Sequence, residues 1–288
     1  MCIRDRGIYR YRVFTGRYWV PGTDYVNNVI QSVASVVRDG DFLVVSEKAV
    51  STALGNIVDE GLYKPRSMAW FLAGVWMRLV WGWFLGYLCH MRVSTIKRLR
   101  AYPNVEGAFH KETVLRYAGF LQALRHASEG GIDVVNLPQS YAALPLKNPE
   151  TVAEGLHERV LKATGKRVTV AVSDSDRTFT FRNFHFTPKP NPVRGIHPMG
   201  GVIAYILGAF LRLKARATPI AVVGHVQSLD ELLKVCELAD KARGYGAGRD
   251  VWEMAERFGV SYTEVTWEML KAIPHHPLVL IRRKRLEV

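Results

Sequence analysis

The sequence predicts an α/β (mixed α+β) fold with mixed sheets and packed helices, and three observations carry that prediction. Short apolar runs of strand character recur along the chain: Phe42-Leu43-Val44-Val45, Val168 to Val172, Ile220 to Val223 and Leu278 to Ile281. Segments with helical spacing separate them, so strands and helices alternate. The 288 residues are 48% hydrophobic and 23% charged, enough for one large domain or two small ones.

The elements follow in order. Tyr9 to Val20 alternates aromatic, apolar and basic residues and reads as one or two short strands. Pro21-Gly22-Thr23-Asp24 is a turn and helix cap. Val26, Val29, Ile30, Val33, Val36 and Val37 then keep helical spacing. Strand 42–45 follows, and Ser46 to Ser51 lies at its carboxyl end, where ligands of α/β sheets gather. Met68 to Cys89 is aromatic-rich and close to the length of a membrane span, with Arg78 in its middle and Gly74, Gly82 and Gly86 spaced for close packing. It is expected as a buried or subunit-interface element. Glu112 to His126 has the pattern of one amphipathic helix. Asn148-Pro149 opens a helix that Gly165 ends. Strand 168–172 delivers the acidic Ser173-Asp174-Ser175-Asp176, and Arg177 to Arg182 alternates as a further strand. A Pro-rich irregular loop (residues 188–198) precedes an apolar helix (202–211), and Ser228 caps a helix through Lys241. Residues 243–249 read as a flexible Gly-rich connector, and short helices near 253–258 and 267–272 precede the last strand.

The net charge of +13 favours anionic partners, namely nucleotides, phosphorylated cofactors, nucleic acid or anionic lipid. The basic runs at the ends (Arg4, Arg6, Arg10, Arg12 and Arg282 to Arg285) are expected as solvated tails. Met1 to Arg6 has no pattern leading into the next strand and carries no weight. Three dispersed cysteines without a CxxC argue against structural zinc or a disulfide framework and fit a reducing, cytoplasmic setting. No secretory signal pattern opens the chain.

Walker A, GxGxxG after a strand, HExxH and GxSxG patterns are all absent from the sequence. His275-His276, flanked by prolines, read as loop residues. Two acidic loops remain, Gly130 to Asn136 and Ser173 to Asp176. Each lies next to a strand or Gly turn, and Lys48 and Ser51 stand at a third strand end. Mg²⁺ usually takes one or two protein carboxylates plus phosphate oxygens. The pattern therefore points to a nucleoside triphosphate held through Mg²⁺ or Mn²⁺, with catalysis by positioning and charge neutralisation.

The same residues resemble a known family. Gly40 to Ser51 with Gly55, preceded by the Pro21 to Asp24 turn, resembles the N-terminal motif of the coenzyme F-420 gamma-glutamyl ligases. Gly131-Ile132-Asp133 with Asn136 and Leu144-Pro145 resembles their central motif, Val172 to Ser175 followed by Arg177 their third, and Ile220 to Gly224 their closing strand. The resemblance implies a divergent, archaeal-type amide ligase. In that reaction GTP activates the terminal carboxylate of a deazaflavin cofactor precursor as an acyl phosphate, and the amine of L-glutamate displaces phosphate. It further implies an intertwined homodimer, Asp133 and Asp174 as metal ligands, and Asp133, Asp174 and Arg177 as the catalytic set. Lys48, Ser51, Gly131, Asn136 and Ser175 would line the nucleotide or substrate, with Arg177 facing an anionic substrate group. The expected organisation is a basic strand segment (1–19), a ligase-like catalytic domain (20–224) and an extension packed on it (225–288). Neither nucleic acid nor stable membrane insertion is expected of such an enzyme. The alternatives are a paralogue with another acceptor, or a non-catalytic basic module that binds nucleic acid or a membrane surface.

Overall fold

A computed structural model describes residues 3–6, 8–138 and 140–284. The first half runs β1 (Ile3–Arg6), β2 (Tyr9–Gly16), α1 (Tyr25–Val33), β3 (Phe42–Ser46), α2 (Glu47–Ala53), β4 (Ile57–Asp59), α3 (Ser67–Phe71), a π-helix (Leu72–Leu85), α4 (Gly86–Leu88), α5 (Val93–Arg100), α6 (Asn104–Tyr117) and α7 (Phe120–Ala123). The second half runs β5 (Tyr141–Ala143), α8 (Pro149–Thr164), β6 (Thr169–Phe181), β7 (Phe184–Thr187), β8 (Ile196–Pro198), α9 (Val202–Phe210), β9 (Lys214–Val223), α10 (Leu229–Arg243), α11 (Val251–Phe258), α12 (Trp267–Lys271) and β10 (His275–Arg283).

Among the described residues, one mixed sheet has the order β1-β2-β10-β3-β6-β7-β8, with β9 also paired to β6. β4 and β5 form a separate antiparallel pair. β3 and β6 are parallel from Phe42 opposite Thr169 to Ser46 opposite Ser173, so their carboxyl ends lie side by side. β10 lies antiparallel between β2 and β3, which brings both ends of the chain into one sheet. The period of two sorts the core. Leu43, Val45, Val170 and Val172 face α1, α2 and α8, while Phe42, Val44, Ala171 and Val279 face α10. Both faces of the central strands are covered, which is why they read as continuous apolar runs. Each Leu, Val or Phe among them contributes about 1.5–3 kcal/mol by leaving water.

Several elements differ from the sequence expectation. Strand 168–172 and strand 177–182 are one strand, β6. The acidic residues sit in a bulge inside it, where Ser175 and Asp176 are extra between the pairs Asp174–Thr218 and Arg177–Ala217. The expected helix 112–126 begins earlier and breaks at Gly119 (φ 85°) between α6 and α7. His275 and His276 begin β10 and are not loop residues. The Pro-rich stretch contains β8.

Arg282 and Arg283 are not solvated tails. Arg282 pairs with buried Asp41 (2.7 Å), and Arg283 with Glu231 (2.6 Å). Those pairs hold β10 to its neighbours, and Arg10 and Arg12 lie within β2. Ile3–Arg6 pairs with β2 as β1, whereas Met1, Cys2 and Arg285 lie outside the described residues.

Ser67–Leu88 is one continuous helix, long and apolar enough to cross a membrane by length and composition. Its π-helical middle is unusually long for a form that mostly occurs as single turns. Ala73, Met77 and Trp81 pack into a cluster with Leu99, Ala108 and Val202. The opposite face leaves Phe71, Val75, Leu79, Trp83 and Phe84 exposed. Of the expected buried or subunit-interface element, burial holds for one face of this helix.

Candidate functional site

The parallel ends of β3 and β6 open into a cleft of about 360 Å³. Ser46 and Lys48 come from the end of β3 and the start of α2, and Asp174, Ser175 and Arg177 from the β6 bulge. Asp133 and Asn136 come from the loop after α7. The end of α10, the Gly-rich loop 244–248 and the start of β10 close the far side. Six of the eight residues singled out in the sequence thus share one cavity: Lys48, Asp133, Asn136, Asp174, Ser175 and Arg177.

The other two sit behind it. Ser51 is fully buried, donates to the Leu144 carbonyl (2.5 Å) and accepts from the Asn56 amide (3.0 Å). It joins α2 to the segment after β5 and does not face the cleft. Gly131 has φ 95°, and a Cβ there would overlap Lys189 Nζ. Its glycine makes room for a lysine, not for a ligand.

Each acidic loop carries a lysine. Lys48 Nζ lies 2.8 Å from Asp133 Oδ2 and 3.0 Å from the Val135 carbonyl, and both side chains of this pair are about a quarter exposed. Asp133 Oδ1 accepts from Val135 N at 2.8 Å, which fixes the carboxylate in its turn. Lys189 is almost wholly buried and lies 2.7 Å from both Asp174 and Glu47. Burial raises the Asp174 carboxyl, but the charge and hydrogen bonding of Lys189, with the Asp176 and Ser175 amides, bring it below its usual range. Burial dominates at Glu47 and raises its carboxyl against the pull of Lys189. Of the two carboxylates, Asp174 is the one that lines the cleft. The sequence gives no sign of Lys189, because it stands in a Pro-rich stretch and only the tertiary fold makes it a core residue.

Two other cations stand where β6 meets α10, Arg177 on the strand and Arg243 at the end of the helix. Arg177 reaches Glu237 (2.9 Å), and its side chain is 38% exposed. Arg243 is buried against Ser173 Oγ (3.1 Å), and its Nη1 meets no hydrogen-bond partner among the described residues. A buried guanidinium N–H without an acceptor, on the wall of a cleft, is a place for an anion. Arg243 was missed in the sequence because it opens the Gly-rich connector. That connector is a cleft wall: Asn136, at φ 61°, accepts from Ala247 N (2.6 Å) and donates to the Tyr245 carbonyl (3.2 Å). Asn136 thus ties two cleft segments together. Its amide is engaged by protein.

A buried network holds the Asp133 loop in place. Arg125 makes paired bonds to Asp176 in the bulge (2.8 and 2.7 Å). Lys111 bonds the Arg125 carbonyl (2.6 Å) and Glu129 (2.8 Å). His110 bridges Glu60 (2.8 Å) and Glu129 (3.3 Å). Burial alone would lower the His110 pKa, yet the two carboxylates raise it to about 10, so the ring is an imidazolium at neutral pH.

The metal expectation can be set against this donor set. Among the described residues no three or more His, Cys, Asp or Glu side chains group as ligands. The cleft offers two carboxylates, each already balanced by a lysine. Two carboxylates suit Mg²⁺ or Mn²⁺ when phosphate supplies further oxygens, and the unpartnered Arg243 N–H suits the same phosphate. The residues fit a metal–phosphate assembly, not a metal held by protein alone.

The mixed α/β fold thus gathers carboxylates, lysines and an arginine at its parallel strand ends, where ligands of α/β sheets bind. The profile of the F420-0:gamma-glutamyl ligase family matches residues 16–234, and the chain belongs to that family. An uncharacterized protein of Methanocaldococcus jannaschii is 34% identical over 280 residues, covering 93% of this chain and 94% of that protein. The family is one of ligases in F420 biosynthesis.

Proposed function

We propose that this chain is a nucleotide-dependent amide ligase whose triphosphate binds in the cleft between Lys48, Asp133, Asp174 and Arg243. The observation that carries the reading is the buried Arg243 Nη1 without an acceptor, beside two lysine-balanced carboxylates. Asp133 and Asp174 would hold Mg²⁺ or Mn²⁺, which would supply neutralisation of phosphate charge. Lys48, only partly buried, is free to swing from Asp133 to a phosphate oxygen. Lys189 stays with Asp174 and Glu47 and keeps the bulge rigid. Arg177, the most exposed of these cations, faces an anionic substrate group.

In the family reaction the nucleotide is GTP, the acyl substrate is the carboxylate of the deazaflavin precursor F420-0, and the amine is L-glutamate. The carboxylate oxygen attacks the γ-phosphorus and GDP leaves. The amine nitrogen then attacks the acyl carbon, the C–O bond to phosphate breaks, and inorganic phosphate departs. The apolar face of helix 67–88 is the surface that a homodimer would bury. A second reading keeps this chemistry but changes the amine, and the cavity described in the next subsection favours it.

The test is turnover in the presence of GTP, Mn²⁺, F420-0 and candidate amines, read as GDP and phosphate release. The expected result is amide formation that falls about 10²-fold or more in Asp174→Asn, as for loss of one charge-stabilising group. Unchanged turnover in that variant contradicts the proposal.

A further inference from the structure

A second cavity, about 380 Å³, lies against the cleft and shares with it the wall of Ala127, Ser128, Asp133, Val135 and Asp250. Its size and apolar lining suit a small organic molecule. Tyr102, Phe109, Trp252 and Tyr262 give it aromatic walls, with Ile132 and Met254 between them. No lysine or arginine lines it among the described residues.

Two histidines do line it, and neither offers a positive charge to a ligand. His110 has both ring nitrogens engaged by Glu60 and Glu129. His126 is buried against Trp81 and Tyr205, and burial with the neighbouring Arg125 holds its pKa down to about 3, so it is neutral. Its Nδ1 is buried and meets no hydrogen-bond partner among the described residues. The acids are nearly all matched: Glu129 by Lys111, Glu60 by His110, Asp133 by Lys48, Asp250 by Arg98. Glu106 has no ion pair among the described residues and meets the Tyr262 phenol, whose pKa burial and the Glu106 charge push up to about 12. The chamber is thus apolar and aromatic, with one unmatched negative charge and no unmatched positive one.

A substrate carboxylate entering such a space loses its water and finds no cation, which is strongly unfavourable. L-Glutamate would bring two. An aromatic body with a single ammonium meets stacking walls and a net negative field. We propose that this chamber seats the amine substrate, and that the amine is an arylalkylamine without a carboxylate, in place of the α-amino dicarboxylate of the family reaction.

The proposal rests on the ligase reading of the adjoining cleft. The ammonium sheds one proton to solvent at the shared wall, and its lone pair attacks the acyl carbon of the acyl phosphate. The C–N bond forms and the C–O bond to phosphate breaks with its electron pair. A second proton leaves the nitrogen, giving a neutral amide and inorganic phosphate.

The test is calorimetric titration of 2-phenylethylamine, 2-phenylethanol and L-glutamate into the full chain and into Glu106→Gln, a substitution at an exposed residue. GTP with Mn²⁺ is titrated into the same samples. The expected result is that phenylethylamine binds at least about tenfold tighter than L-glutamate. Glu106→Gln should weaken the amine severalfold and leave phenylethanol unchanged. Equal or tighter binding of L-glutamate, binding of neither amine, or indifference to Glu106→Gln overturns the proposal. If GTP·Mn²⁺ still binds in those cases, only the amine assignment falls. If GTP·Mn²⁺ does not bind, the ligase reading falls with it.

Discussion

The cleft and the chamber lie back to back across one loop, yet they treat charge in opposite ways. In the cleft, cations exceed what the protein uses: Lys48 and Arg177 are partly exposed and Arg243 has an unpartnered N–H. In the chamber, the one charged histidine is saturated on both sides and the walls are aromatic. Both arrangements depend on the same segment. Glu129 anchors its start through Lys111 and His110, and Asp133, four residues on, stands on both walls. The difference teaches that ligand charge is sorted by which cations have spare hydrogen-bonding capacity, not by how many are near.

The largest expected effect tests the buried side of the cleft. Lys189→Met leaves Asp174 and Glu47 without their shared cation, and should cost about 3–5 kcal/mol in urea denaturation. Lys48→Met, at a partly exposed pair, should cost no more than about 1 kcal/mol. Equal costs would erase the distinction between a structural lysine and a mobile one. Gly131→Ala comes next. Positive φ and the crowding of Lys189 should together cost about 1–3 kcal/mol, read in the same assay.

The chamber has a pH signature. His110 is protonated in the fold up to about pH 10, whereas an unfolded histidine titrates near 6.5. Its contribution is therefore full below pH 6.5 and lost as pH rises toward 10. Tm followed across that window should fall more steeply in the wild type than in His110→Gln. Parallel curves would mean that the Glu60–His110–Glu129 bridge does not stabilise the loop. The smallest effect is expected far from both cavities: Lys271→Ala, at the exposed Glu268 pair, should change stability by less than about 0.5 kcal/mol.

The legible part of this molecule was its alternation and its strand ends. Apolar runs located β3, β6, β9 and β10, and Asp24 and Ser228 marked helix starts whose side chains do cap (Asn27 N and Glu231 N). Lys48, Asp133, Asp174 and Arg177 were readable because carboxylates and cations after strands and Gly turns are local patterns. Lys189, Glu47 and Arg243 were not readable in role. A buried ion pair joins residues distant in sequence, and nothing in the composition of residues 188–198 or 243–249 says which charge goes inside. The bulge was invisible for a related reason: Ser173-Asp174-Ser175-Asp176 has loop-like composition, so the one strand read as two with an acidic loop between them. Gly-rich residues 244–248 read as flexible, but Gly246 and Gly248 are glycines because Asn136 and the α11 backbone come too close for a Cβ. Helix 67–88 read as buried or subunit-interface, because composition cannot separate a core face from an exposed apolar one.

The central claim is that the cleft holds a metal–triphosphate. Calorimetric titration of GTP with Mn²⁺ into wild type and Asp174→Asn tests it most directly, because Glu47 still partners Lys189 in the variant and the fold is retained. The account predicts micromolar binding to wild type, roughly −8 kcal/mol, and its loss in Asp174→Asn. No binding to wild type, or equal binding to both, contradicts it.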